Sequence, residues 1–432
     1  MKYILETLDN GLDVMYIPMK ESNIVCSLLL VNTGSINENT RNNGISHFLE
    51  HMSFKGTKQF KKSSDLNQEL DLLGSSYNAF TSHEYTGYHI TCANTCVNKI
   101  VNILSEMYYN PLFNKSDIKK ERGVIMEEIN MYSDSPSRKI YDSMMKLLYS
   151  DYKLPGLIDI AGPKKNIEKM SKEDFIKYHK KYYYPANTLL VVSGNFEIDN
   201  VKNQVNKFFN VKNNKKKGIE NNHKIKNTNK NKKPKTSIYY MKTEQTYLLI
   251  GVRAFGIKDY KKIFALELIV CILAKGFSSR LYKRIREENG LAYFIKSSIE
   301  LFSTFGHIQF LMNINSDKIE KAVTLVTKEF KSMRSKKVTK TELEIAKKQF
   351  LGNLSITLQT AHDYALFYGM SYLLNKRVET IDYIRENIEK VTIEDIFKLS
   401  KEIFTNDRLN MVIIGPYNEK KEIDSINRKL KI

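Results

Sequence analysis

Residues 47–51 read His47-Phe48-Leu49-Glu50-His51. The two histidines are i and i+4, so on a helix they project from one face, one turn apart. Two neutral imidazoles placed this way can bind Zn²⁺ with bonds of about 2.0–2.1 Å. Glu50 stands beside that face, within reach of whatever the metal activates. The order H-x-x-E-H inverts the H-E-x-x-H arrangement of many zinc peptidases. Histidine is scarce, eight in 432 residues, so the pairing is specific for so short a string. The same five residues would also suit a surface helix with two unrelated histidines. A third ligand decides between the readings.

Acidic candidates for that ligand lie between Ser116 and Tyr132. Ser116 is expected as the N-cap of a helix, with Asp117 favoured by the positive end of its dipole. Ile118, Ile125, Met126 and Ile129 form an apolar stripe at helical spacing. Glu121 and Glu128 are seven apart and share a face two turns apart, whereas Glu127 points elsewhere. Spacing alone leaves a second reading open, a solvated acidic face with no ligand role.

The string His47 to His51 followed by Met-Ser-Phe-Lys-Gly-Thr resembles the active-site helix of the insulinase (pitrilysin) family of zinc metallopeptidases, and chain length points to the branch of mitochondrial processing peptidases and their bacterial relatives. The resemblance implies His47, His51 and Glu128 as ligands of one Zn²⁺ per chain, with Glu50 as general base. It makes Glu121, in a family-like Glu-Arg-x-Val-Ile pattern, the acid that orients a ligand. Glu127 is the adjacent alternative that it disfavours. The similarity extends along the chain. Leu8 to Val14 reads as a hairpin around Asn10-Gly11. Gly34 to Glu38 resembles the segment that precedes the family's zinc helix. Asn78, Ala79, Phe80 and Thr81, with Ser82, resemble the edge strand on which substrate backbone is laid.

Such a site has a defined chemistry. Three protein ligands leave a coordination position for water, whose pKa the metal lowers from about 15.7 to about 7. Glu50 would accept the proton and pass it to the leaving amine. A second motif, Gly276 to Tyr293, resembles the family's C-terminal signature, which implies that Arg286 and Tyr293, seven apart, bind substrate and stabilise the transition state. Read without the resemblance, it is a helix ending at Gly290 with basic residues near its C-terminus. Relatives often carry a glycine run before this segment. Here the chain reads Leu273-Ala-Lys-Gly276, which weakens any expectation of presequence specificity.

These residues need a scaffold. At 432 residues with 42% apolar content the chain suffices for two domains with real cores. Thr188–Gly194 and Leu409–Gly415 read as matching closing strands, and Ser27–Val31 and Tyr247–Val252 as matching early strands. The expected fold is α+β: two homologous domains, each a mainly antiparallel mixed sheet with helices packed on one side. The expected division is a zinc-binding domain over 1–208, a Lys/Asn-rich linker over 209–237, and a homologous C-terminal domain over 238–432. Ile263 to Ala274 reads as a buried helix, and no run reaches the ~18 apolar residues of a membrane span.

The net charge of +20 raises nucleic-acid binding, but residues 210–236 hold ten lysines against one glutamate and so account for +9 of it. No docking module for nucleic acid is present, and none is expected as a partner. Cys26, Cys92, Cys96 and Cys271 suggest neither a zinc ribbon nor a disulfide framework. His83, His89, His179, His307 and His362 lack ligand-spaced partners. With no signal peptide in the first residues, a cytoplasmic location is expected. The expected function is a zinc endopeptidase for unfolded peptides or presequence-like segments, working as a homodimer, or a heterodimer with a related subunit. Each site would combine the first domain of one chain with the second of another. The alternative is a non-catalytic core subunit related to the processing peptidases.

Overall fold

The computed structural model describes residues 2–211, 218–219, 223–229, 232–417 and 420–432. Its contacts divide the chain into two compact units. The first comprises Met1–Met131, Lys153–Asn221 and Thr357–Thr380, and the second Tyr132–Tyr152, Asn222–Ile356 and Ile381–Ile432. Among the described residues, no helix is long and apolar enough to cross a membrane.

The first unit is built on six strands: β1 (Ile4–Thr7), β2 (Asp13–Pro18), β3 (Ile24–Val31), β4 (Ser76–Thr81), β5 (Thr86–Ala93) and β6 (Thr188–Gly194). Their order is β1-β2-β6-β3-β5-β4, so β4 is an edge. Only β2 and β6 run parallel. The β1–β2 hairpin turns at Gly11, whose φ of 91° is a conformation that suits glycine. The second unit holds β7 (Lys235–Tyr240), β8 (Gln245–Phe255), β9 (Ala292–Leu301), β10 (Phe305–Asn315) and β11 (Leu409–Gly415), ordered β7-β11-β8-β10-β9. Again one pair, β7 with β11, is parallel. Removing β1 makes the two sheet orders equivalent strand for strand, the pattern of an internal duplication.

Alternation along the strands explains how both sheets are covered. In the first unit Val14, Tyr16, Val25, Leu29, Leu190 and Val192 face one core with the helices Ile45–Met52 and Val97–Tyr109. Met15, Ile17, Cys26, Leu28, Leu30, Leu189 and Val191 face the other side. That second face is apolar too, and a single helix, Ala361–Asn375, covers it with Ala361, Ala365, Tyr368 and Leu373. At Gly369 the helix comes so near that a Cβ would lie 3.0 Å from Leu30 and Val191. Thr360 and Asp363 form a capping box at its start, and Tyr372 donates to Asp13 at 3.0 Å near its end.

The second unit repeats the arrangement with the opposite half of the sequence. Helices Tyr260–Ala274, Ile319–Ser335 and Ile393–Ile403 lie on its sheet. The helix Pro136–Tyr149 packs on β7, β8 and β11. Its last residue, Tyr149, is buried, with its hydroxyl 2.9 Å from His307 Nδ1 and its ring 5.2 Å from the Arg253 guanidinium.

The fold class is the expected one, but the contiguous division is not what the contacts give. Residues 132–152 belong with the second sheet and 357–380 with the first, because each sheet has a second apolar face to bury. The linker of 209–237 is also too wide. Phe209 is fully buried in the first core, and β7 begins at Lys235, paired with Asn410. Within it Asn229 is buried and accepts from Arg253 Nε at 3.0 Å, and Ile219 N donates to Asn187 Oδ1 at 3.0 Å. Lys212 and Lys215 to Lys217 lie outside the described residues.

Where the helix Ala361–Asn375 begins, His362 meets His89 of β5, ring centroids 4.3 Å apart. Burial, then the neighbouring His362, pushes His89 down to about 4. A histidine depressed in the fold binds fewer protons there than in the unfolded chain. Its contribution to stability is therefore present above about pH 6.5 and lost as pH falls toward 4. Thermal unfolding of the metal-free chain should show a falling midpoint over that window, and His362→Asn should make the fall shallower. Parallel curves for the two proteins would exclude the pair as the cause.

Candidate metal centre

The motif helix Ile45–Met52 is short, and packing sets which way it faces. Ile45, Phe48, Leu49 and Met52 are buried, with Phe48 edge-on to Phe175 at 4.9 Å between centroids. His47 and His51 are left on the other side, half-buried. The helix starts from Gly44 with φ 101°, where a Cβ would lie 2.4 Å from the Ala161 carbonyl oxygen, so only glycine suits the position. Glu38 anchors the start. One of its carboxylate oxygens accepts from Gly44 N at 2.8 Å and Asn43 Nδ2 at 2.9 Å, the other from Ser46 N at 2.8 Å. Those of Gly44 and Ser46 are backbone N–H groups that a helix start cannot satisfy internally, at the end whose dipole favours an anion. Burial pushes Glu38 up to about 7 against those hydrogen bonds.

The acidic helix spans Lys115–Asp134. Ser116 therefore lies inside its first turn rather than at the N-cap. Asn114 precedes it, its carbonyl accepting from Asp117 N and Ile118 N and its side-chain amide donating to Asp117 at 3.1 Å. Arg122 ties the helix down by donating to the carbonyls of Ile167 and Met170 at 3.0 and 2.9 Å. Ile118, Glu121 and Ile125 are buried.

His47, His51 and Glu128 converge: one donor atom from each lies within 4.8 Å of the others. Glu128 Oε2 is 3.6 Å from Nε2 of both His47 and His51. A tetrahedral ion with bonds of about 2.1 Å holds its ligand atoms about 3.4 Å apart, so the donor set fits Zn²⁺ in type and spacing. Glu127 is exposed and accepts from Asn130 at 3.2 Å, away from this group.

A second layer orients the first. His51 Nδ1 is 2.9 Å from Glu121 Oε1, so the ring carries its proton there and turns the Nε2 lone pair toward Glu128. Lys55 Nζ reaches the other oxygen of Glu121 at 2.8 Å. Burial raises Glu121, but His51 and Lys55 outweigh it and hold the carboxyl below its ordinary range. Burial lowers His51, and the Glu121 hydrogen bond with the surrounding carboxylates outweighs it in the upward direction. Glu50 is displaced upward, by burial first, against the Thr81 hydrogen bond and His51. A carboxyl held above its usual range beside a metal-type donor set is suited to receiving and returning a proton.

The four edge-strand candidates do not act alike. Thr81 Oγ1 donates to Glu50 Oε2 at 2.6 Å, and Ala79 packs on the same side of the sheet as the motif helix. Phe80 packs against the opposite core, and alternation sends Asn78 with it, opposite His89. What these residues share is edge backbone. Arg286 and Tyr293 belong to the second unit: the Arg286 guanidinium lies 5.0 Å from the Tyr282 ring and 5.6 Å from the Tyr293 ring. Tyr293 is the second residue of β9, the edge of its sheet, and is 75% exposed. The turn Tyr282–Glu287 is a π-helix closed by Gly290, φ 60°. The sequence reading missed the roles of Glu38, Lys55, Thr81 and Arg122. Lys55, i+4 from His51, was the only one signalled by local spacing.

Comparison with known proteins bears on this geometry. The family profile described as insulinase (peptidase family M16) matches residues 14–158, and that described as peptidase M16 inactive domain matches 169–350. An uncharacterized zinc protease of Rickettsia felis is 30% identical over 416 residues, covering 95% of this chain and 97% of its own. The uncharacterized zinc protease YmxG of Bacillus subtilis is 29% identical over 390 residues, 89% of this chain and 91% of that protein. A protease from Helicobacter pylori superposes with a TM-score of 0.85 at 22% identity over 96% of this chain and 99% of that one, a likeness of fold.

If Glu121 sets the His51 ring, Glu121→Ala should weaken zinc affinity by about 10- to 100-fold. Competition against a chromophoric chelator measures this, and an unchanged affinity would remove Glu121 from the site.

Proposed function

Because the chain belongs to the insulinase family, peptidase family M16, we propose that it is a zinc-dependent endopeptidase acting on unfolded peptides or presequence-like segments. One observation carries the reading. Two imidazole nitrogens and a carboxylate converge at metal-ligand spacing, with the displaced carboxyl of Glu50 on the same helix. His47, His51 and Glu128 would hold the ion, one per chain. Zinc, when bound, supplies a Lewis acid that polarises a carbonyl and acidifies water.

The chain's own residues do the rest. Glu121 holds the His51 ring so that its Nε2 lone pair is presented without rotational search. Glu50 takes a proton from the attacking water on the oxygen not engaged by Thr81, then returns it to the leaving amine. The Thr81 hydroxyl fixes the carboxylate plane during both transfers. Among the described residues β4 has no strand on its outer side, so an extended peptide can add to the sheet there, beside Glu50, displacing the Asn78 side chain that accepts from Ala79 N at 2.9 Å. Recognition through backbone favours extended, unfolded substrates. A purely structural role would not require all three donors to be kept in register.

Glu50→Gln keeps the shape of the side chain and removes the base. It should retain zinc and lose about 10²–10⁴-fold in turnover of a quenched peptide. His51→Ala should lose both metal and turnover. Full activity in Glu50→Gln would overturn the mechanism.

The proposal extends to assembly: a homodimer in which Arg286 and Tyr293 of one chain serve the zinc site of the other. Mixing Glu50→Gln chains with Arg286→Ala chains should then restore activity above either parent, because some mixed dimers carry one intact site. No recovery would exclude sharing in trans.

A further inference from the structure

The first sheet carries a second pair of histidines, on the face away from the motif helix. Tyr88, Ile90 and Cys92 of β5 point into the core beside that helix, so alternation turns His89 to the other side. There it stands opposite Leu28 of β3, in the core that the helix Ala361–Asn375 covers. His362 is the second residue of that helix. The two ring centroids are 4.3 Å apart and the ring planes are tilted by 52°. His47 and His51 of the candidate metal centre are 4.7 Å apart by the same measure. Nδ1 of His89 and Nε2 of His362 are buried, and neither has a hydrogen-bond partner among the described residues. Buried polar atoms are almost always partnered, so two orphans on adjacent rings call for an explanation. His83, His179 and His307 each give a ring nitrogen a partner. The Asp363 carboxylate lies 3.9 Å from Nδ1 of His362, which favours the proton on that nitrogen and leaves Nε2 with a free lone pair. His89, held down by burial and then by His362, is neutral at neutral pH.

We propose that His89 and His362 form a second metal site, whose ligand is monovalent copper. Imidazole nitrogen is a good ligand for copper. Two metal–imidazole bonds of about 2 Å place the donor nitrogens at most about 4 Å apart, a span that rings with centroids 4.3 Å apart can meet. The number of ligands selects the ion. Structural zinc takes four ligands, and among the described residues no group of three or more potential ligands includes either histidine. Monovalent copper is stable between two nitrogens. It also carries half the charge of zinc, so it loses less solvation energy in an apolar setting. Leu28, Phe80, Tyr364 and Tyr368 supply that setting on the same face. The His362 side chain is 31% exposed, which gives the ion a way in from solvent. Bound there, copper would cross-link β5 to the helix that closes the outer face, two elements distant in sequence.

Anaerobic titration of the full, zinc-loaded chain with copper(I) against a chromophoric chelator tests the site. One equivalent should bind without displacing zinc. His51→Ala, which breaks the other histidine pair, should bind it equally well, and His362→Asn should lose it. Copper X-ray absorption of the unaltered chain at one equivalent should show nitrogen ligands and no sulfur, which separates this pair from the four thiols. Should a variant not fold, that measurement decides alone. The two imidazoles meet only in the folded chain. Copper(I) should therefore raise the thermal midpoint of the unaltered chain and leave that of His362→Asn unmoved. Sulfur in the copper shell, uptake unchanged by His362→Asn, displacement of zinc in place of added binding, or no uptake at all would overturn the proposal.

Discussion

The carboxylate of Glu38 is buried at the start of an eight-residue helix, and the candidate metal centre depends on it. A helix this short has little stability of its own. Its direction is set at one end by packing and at the other by the three donors that converge on Glu38. Burying a carboxylate is costly unless its lone pairs are satisfied. Here the cost is met in part by the backbone N–H groups of Gly44 and Ser46, which would otherwise be unpaired, so the anion and the helix start answer each other's need. Gly44 completes the arrangement, because no other residue admits both the left-handed turn and the approach of the Ala161 carbonyl.

From that anchored helix a connected polar network runs through elements distant in sequence. Lys55 holds Glu121, Glu121 holds His51, and Glu128 faces both histidines. Thr81 holds Glu50 from the edge strand. His51 and Glu50 are therefore each restrained on a side that does not face the metal position. Such restraint keeps a site close to working geometry before any ion or substrate arrives. It also separates two carboxyls by environment. Hydrogen bonds from the Lys55 ammonium and the His51 ring hold Glu121 down, and burial outweighs the Thr81 hydroxyl at Glu50.

Local spacing made part of this legible. His47, Glu50 and His51 could be read from five residues, and the closing strands 188–194 and 409–415 from their apolar runs. Glu128 was a matter of resemblance, since spacing left its helix open to a solvated reading. Glu38 and Thr81 reach their partners across turns and strands, and no periodicity encodes such contacts. Arg122 was hidden for the same reason: its acceptors are carbonyls some 45 residues away. The helix start at Lys115 was missed because Asn114 supplies its cap through backbone and amide together. The linker was read from composition, and composition says nothing of Asn229, a buried asparagine that accepts from Arg253 and donates to the Leu409 carbonyl. The assignment of 136–149 and 361–375 was hidden for another reason: an apolar stripe announces that a helix will be covered but not by which sheet.

That exchange of helices governs how the protein can be made. The first sheet finds its outer cover only in residues 361–375, near the end of the chain. During synthesis β2, β3 and β6 emerge early, yet one apolar face stays open until most of the second half has left the ribosome. Domain-by-domain folding on the ribosome, the usual course for chains of this size, is thus withheld from the first half. The second sheet has the reverse history, since its cover, 136–149, is made before any of its strands and must wait for them. A gene cut between the halves would yield two sticky fragments, each carrying the missing lid of the other.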